Sequence, residues 1–164
     1  EIVAQLKYAP VGRRGVALGV AHDLYQAGGP EFFSQTNENI VVILLLETAK
    51  AFENLDDIVS VPGVDIAWMG HYDLTVSMGI PAQFDHPRFL EAMDALVASC
   101  RRFGVAPGFL PATSDSTVHW IRKGFQALSL GSDIGIFLNG IRTFRQSVAD
   151  SIPGLVSPTK GDQL

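Results

Sequence analysis

Apolar positions along this chain gather into short continuous runs, each followed by an amphipathic stretch. Ile40-Val41-Val42-Ile43-Leu44-Leu45-Leu46 stops at Glu47, and Val64-Asp65-Ile66-Ala67-Trp68-Met69-Gly70 leads through His71 and Tyr72 to Asp73. A run of this length that passes straight into a helical pattern predicts a fully buried parallel strand. Two further strands are expected at 106–110 and 126–130, the second running into Gly131-Ser132-Asp133. After the first strand, Thr48 can cap a helix whose stripe is Ala51, Phe52, Leu55, Ile58 and Val59, and Pro62-Gly63 closes it. Pro87 opens a longer helix, since a missing N–H costs nothing there, and Gly104 ends it. Its expected buried face is Phe89, Leu90, Met93, Leu96, Val97, Cys100 and Phe103. A Ser114-capped helix carries Val118 and Ile121, and a last one carries Phe137, Ile141, Phe144 and Val148.

The order is therefore four consecutive strand–helix units, preceded by a helix-like segment at 2–8. Such alternation means an α/β fold with a parallel sheet. Four units suit either an open doubly wound sheet or the C-terminal half of a (β/α)8 TIM-type barrel, which takes about 250 residues when complete. The chain opens in what reads as mid-helix, so an upstream half is expected before Glu1. Residues 75–86 read as an insertion after the second strand, at the end of the sheet where loops carry function. Residues 1–150 are expected to form a partial barrel domain. Residues 151–164, with Pro153, Gly154, Pro158 and Gly161, lack periodicity and are expected to be a flexible tail.

Composition narrows the function classes. The 164 residues are 47% apolar with a formal charge of −5, which is enough for a real core and unsuited to a nucleic-acid partner. Arginines cluster no further than Arg13-Arg14 and Arg101-Arg102. Glycines flank the first pair, which makes that loop either an anion site or a subunit contact. The lone Cys100 excludes an intrachain disulfide, fits a reducing compartment, and is expected to pack inertly in its helix. No apolar run approaches the ~20 residues of a membrane span, and no secretory signal opens the chain. A cytoplasmic location is the expectation.

The candidate chemistry lies where the strands end. Carboxylates at the C-terminal ends of neighbouring parallel strands converge on the mouth where α/β enzymes react. Glu47 and Asp73 would repel one another unless a cation or proton lay between them, and a hard divalent ion with oxygen ligands is the natural occupant. Glu47 could instead cap or salt-bridge at its strand end, and Asp73 could cap a helix starting at Leu74. His71 is a candidate base or ligand that could equally bond locally. His22 and His119 read as surface residues, His86 as a turn residue, and Asp133 as a helix cap that could also face the mouth. No phosphate-loop or dinucleotide fingerprint occurs.

Several motifs together resemble HpcH/HpaI-type aldolases over residues 2–150. They are Tyr8-Ala9-Pro10-Val11-Gly12-Arg13-Arg14-Gly15, Leu46-Glu47-Thr48, Gly70-His71-Tyr72-Asp73-Leu74-Thr75, Pro107-Gly108-Phe109-Leu110 and Leu130-Gly131-Ser132-Asp133. The resemblance implies a (β/α)8 barrel and a class II, metal-dependent aldolase that cleaves a 4-hydroxy-2-oxo acid to pyruvate, or a related 2-oxo acid, plus an aldehyde. It implies Glu47 and Asp73 as ligands of Mg2+ or Mn2+, with Co2+ a further candidate, and backbone N–H groups at Tyr72 and Asp73 meeting the substrate carboxylate. It also implies a homo-oligomer, a hexamer in that family. Two positions depart from the pattern. Leu45 stands where the family often has a substrate-contacting Gln, and His71-Tyr72 replaces the usual Pro-Ala, which changes the pocket wall. The family's acid–base pair and oxyanion Arg are expected upstream of Glu1. Alternatives are a citrate-lyase-like acyl lyase or decarboxylase on the same chemistry, and a non-catalytic paralogue that binds a 2-oxo acid. No lysine ends a strand: Lys7 and Lys50 fall on expected helices, Lys123 closes one and Lys160 lies in the tail. A Schiff-base route is therefore disfavoured here.

Overall fold

A computed structural model of the chain describes residues 1–26 and 28–152. The expected flexible tail therefore lies almost wholly outside the described residues, as does Lys160. Two compact units separate at Leu128, the first being Glu1–Leu128 and the second beginning at Ser129.

The first unit contains one four-stranded parallel sheet in sequential order, β1 (Ile43–Leu46), β2 (Ile66–Met69), β3 (Ala106–Phe109) and β4 (Ala127–Leu128). Helices α1 (Ile2–Leu6) and α2 (Glu31–Asn39) precede it. Between strands run α3 (Ala49–Glu53), α4 (Leu55–Val59), α5 (His71–Ser77), α6 (Pro87–Phe103) and α7 (Ser114–Lys123). This is the α/β architecture of successive βα units from a (β/α)8 barrel. The helix α2 has no apolar stripe of helical period and was not expected. Each strand is shorter than its apolar run. At β1, Val42 N–H donates to Asp65 Oδ2 at 2.7 Å instead of joining the ladder, while its carbonyl accepts from Asp65 and Ile66 N–H.

Burial along β1 corrects the expectation of a fully buried strand. Val42 and Leu46 are buried, yet Val41, Ile43 and Leu45 are 59%, 53% and 55% exposed. Side chains alternate across a sheet, and here helices cover one face. On that face Leu46, Ala67, Met69 and Phe109 pack with Leu55 and Val59 of α4 and Phe89, Met93, Leu96 and Cys100 of α6. The opposite face is the one a barrel would turn inward. Its register sets Ile43 beside Ile66, and Leu45 beside Trp68, which is paired in turn with Gly108. Gly108 is required there, since a methyl group on it would stand 2.5 Å from the Trp68 ring.

The expected helix after β1 breaks in two at Asn54, whose Nδ2 donates to Lys50 O at 2.8 Å. Thr48 caps its first half, accepting from Ala51 N–H at 3.1 Å. Helix α6 starts at Pro87 and ends on Gly104 in the left-handed region, φ +71°. His86 is more than a turn residue, because its Nδ1 caps α6 by accepting from Arg88 N–H. Leu90 and Phe103, expected to be buried, are each 40% exposed. The α6 stripe is thus narrower than its apolar content suggested, centred on Phe89, Met93, Leu96 and Cys100. Thr113, not Ser114, caps α7, in a reciprocal box with Ser116.

Segment 75–86 is not a plain loop. Its first residues continue α5, and the buried Thr75 hydroxyl donates to Tyr72 O at 2.7 Å while accepting from Ala82 N–H at 3.1 Å. Lys7, expected on a helix, instead terminates α1 and is buried, with Nζ donating to Asn37 O and Ile40 O at 2.5 and 2.9 Å. The glycine-flanked arginines have intramolecular partners. Arg13 pairs with Glu1, and Arg14 lies 4.9 Å over the Tyr8 ring. The second unit contains α8 (Asp133–Ser151), capped by Ser132, whose hydroxyl accepts from Gly135 N–H. Asp133 is therefore the first helical residue and not the cap.

Candidate active site

Parallel pairing of Leu46 with Met69 sets the ends of β1 and β2 side by side. Gly70 N–H donates to Leu46 O at 3.0 Å and ties them. By alternation, Glu47 leaves the sheet on the same face as Leu45, and its side chain lies across Gly70. A methyl group at Gly70 would stand 2.6 Å from Glu47 Cγ and 2.9 Å from Oε1. Glycine at this position is what lets the carboxylate lie over the neighbouring strand end. Gly70 also caps α5, accepting from Leu74 N–H at 2.9 Å. That corrects the alternative role of Asp73, which stands in the first turn of α5 and does not cap it. Among the described residues, the N–H groups of Tyr72 and Asp73 have no backbone partner.

The two carboxylates are uncommitted. The ion pairs among the described residues are Arg13–Glu1, Arg102–Asp56 and Lys123–Asp94, none of which involves Glu47 or Asp73. Among the described residues Glu47 thus has no salt-bridge partner. Glu47 is a hard oxygen donor of the kind a divalent ion takes, laid over a Gly70 surface that a side chain would fill and without an ion-pair partner among the described residues, and Asp73 in the first turn of α5 offers a second carboxylate. No cluster of three or more ligating side chains forms among the described residues. That is the usual state of affairs for Mg2+ and ions like it, which are held by one or two carboxylates and keep their remaining positions for water and substrate.

The other expected site residues divide between two places. Leu45 is exposed on the open face, two residues before Glu47. Tyr72 is 60% exposed beside Asp73. His71 is drawn instead toward the helix-covered side. Its ring lies 4.6 Å from Tyr72, 5.2 Å from Phe84 and 5.1 Å from Phe109. Burial holds the imidazole below its ordinary pKa and favours the neutral ring. Its ring neighbours are all aromatic. His22 and His119 are exposed, as expected of surface residues.

A cleft of about 480 Å3 opens next to this cluster, between the C-terminal ends of β2 and β3. Sequence reasoning missed it. Its signal was the spacing of Phe84, Phe109 and Trp120, which lie far apart in the chain and meet only through the parallel crossovers.

A family model described as HpcH/HpaI aldolase/citrate lyase matches residues 1–140. A 5-keto-4-deoxy-D-glucarate aldolase of Klebsiella pneumoniae is 28% identical, over 92% of this chain and 57% of its own length. A 2-keto-3-deoxy-L-rhamnonate aldolase of the same organism is 29% identical, over 86% and 53%. The solved HpcH/HpaI aldolase of Desulfitobacterium hafniense superposes with a TM-score of 0.78 at 28% identity, covering 94% of this chain and 60% of its own. The chain thus spans somewhat over half the length of these relatives. The match takes in all four strands, the helices between them and both Glu47 and Asp73, and the chain belongs to the HpcH/HpaI aldolase/citrate lyase family.

Proposed function

We propose that this chain supplies the metal-holding half of a class II aldolase that cleaves a 4-hydroxy-2-oxo acid to pyruvate, or a related 2-oxo acid, and an aldehyde. The observation that carries it is Glu47 at the end of β1, laid over Gly70 and without an ion-pair partner among the described residues, with Asp73 in the first turn of the helix that follows the neighbouring strand. The names of the aligned relatives support the reaction class.

In this reading, Glu47 and Asp73 hold Mg2+, Mn2+ or Co2+. Such an ion, when bound, would supply Lewis-acid polarisation of a 2-oxo group. The N–H groups of Tyr72 and Asp73 orient the substrate carboxylate. Leu45 lines the open face two residues before Glu47 and offers no hydrogen bond to a substrate. Neutral His71 packs behind Tyr72 and holds its ring in place. Proton transfer falls to groups outside this chain, in the portion of the relatives that it does not span. A cytoplasmic homo-oligomer, a hexamer by family likeness, completes the proposal.

No lysine among the described residues ends a strand. Lys50 is in α3, Lys123 ends α7 and Lys7 is buried against carbonyls. Charge stabilisation by a Schiff base would need a lysine from elsewhere. Titration calorimetry with Mn2+ tests the proposal. The chain should bind one ion, and Glu47→Gln and Asp73→Asn should each weaken binding at least tenfold. Borohydride with pyruvate should trap no adduct. Unchanged Mn2+ affinity in both variants, or a stable pyruvate adduct, would sink the reading.

A further inference from the structure

The aromatic cleft has a chemistry that the carboxylate pair does not account for. Its walls are the C-terminal ends of two neighbouring strands, with His71 and Tyr72 after β2 and Leu110 and Pro111 after β3. Ligands of parallel α/β folds bind at that edge. Tyr72 meets Phe84 at 5.1 Å, and His71 meets both Phe84 and Phe109. Phe109 meets Trp120 at 5.7 Å. These contacts are edge-to-face or tilted, and the exposed Tyr72 ring keeps a face open to one more ring. The volume of about 480 Å3 falls within the range of roughly 300–1,000 Å3 that takes small molecules. The polar side chains of the lining are the exposed Tyr72, Asp85 and His119 and the half-buried His71 and Ser116, set around a larger apolar share. A ligand rich in hydroxyl groups would leave them unpaired against Phe84, Phe89 and Phe109, which is unfavourable. Tyr72 also immediately precedes Asp73, so the cleft adjoins the proposed metal ligand along the chain.

We infer that this cleft binds a planar aromatic group. Resting on the metal-dependent reading above, that group belongs to the part of the substrate released as the aldehyde, which makes the preferred aldehyde aromatic and not polyhydroxylated. His71 and Tyr72 are then specificity-determining residues, supplying two ring walls where the motif of the resemblance has Pro-Ala.

Ligand-observed saturation-transfer NMR on the intact chain tests this with 4-hydroxybenzyl alcohol and glycerol, alcohol surrogates that cannot form imines with surface lysines. The aromatic probe should bind at least about tenfold more tightly than glycerol. Tyr72→Ala and Leu90→Arg, both at exposed positions, should weaken it at least fivefold with far-UV circular dichroism unchanged. Replacing Mg2+ by Mn2+ should broaden the bound ring protons, and Glu47→Gln should remove the broadening while leaving the ring bound. Equal affinity for glycerol, or no loss in either variant, overturns the aromatic assignment. Ring binding without Mn2+ broadening, in protein shown by calorimetry to hold Mn2+, overturns the assignment to the same substrate. Absence of Mn2+ binding with the ring still bound would instead count against the metal reading alone.

Discussion

Gly70 shows how a single hydrogen atom in place of a methyl group shapes this site. Its φ of −85° suits any residue, so the requirement for glycine is steric and comes from Glu47 lying 2.6 to 3.2 Å from where Cβ would stand. Gly70→Ala should therefore fold normally, yet turn the Glu47 carboxylate away and weaken Mn2+ binding at least fivefold by calorimetry. Binding equal to that of the parent chain would mean that Glu47 is not a ligand in this pose. Thr75 is the structural counterpart. It is fully buried, and its hydroxyl both donates to Tyr72 O and accepts from Ala82 N–H. Thr75→Val keeps the shape and strips both bonds, so urea denaturation should show a loss of about 1–3 kcal/mol. Glu47 and Asp73 were legible as candidates because they follow apolar runs. Gly70 was not, because its role depends on a side chain from another strand.

Helix α6 was the element most completely written in the chain. Pro87 and Gly104 mark its ends, and Phe89, Met93, Leu96 and Cys100 form its buried stripe. Its cap was less legible, because His86 acts through a ring nitrogen instead of a Ser, Thr or Asp oxygen. Burial among the core side chains pushes the Cys100 thiol up to about 11 from its ordinary 9.0. Since the folded value is raised, this group's contribution to stability is complete below pH 9 and is lost as pH climbs toward 11. Ellman's reagent at pH 8 should accordingly react with the native protein at least a hundredfold more slowly than with the urea-unfolded chain. Rapid native labelling would show that α6 opens locally. Helices α3 and α4 read as one element because their stripe continues through Asn54, where only the folded backbone shows the break.

At the scale of the whole molecule, the sheet has helices on one face and Val41, Ile43 and Leu45 exposed on the other. Both outer strands, β1 and β4, also keep an unpaired edge among the described residues. Open edges beside an apolar face favour association with another chain or segment. Expressed by itself, the chain should run as a concentration-dependent oligomer in light scattering and bind ANS. Leu45→Lys should reduce both. A monodisperse monomer that unfolds cooperatively and binds no dye would show that this face is satisfied without a partner.

Apolar runs and their spacing by themselves determined the four parallel strands, the helices between them and the position of Glu47 at a strand end. Those features depend on period and on local capping, which neighbouring residues dictate. Tertiary structure alone decided which face of each strand is covered, since alternation fixes that there are two faces but not which one the helices pack against. It also decided that His71 turns into an aromatic cluster while Glu47 turns over Gly70. Both outcomes arise from groups 23 to 38 residues apart, Glu47 with Gly70 and His71 with Phe109, brought together by parallel crossovers. No local period in the chain records distances of that kind.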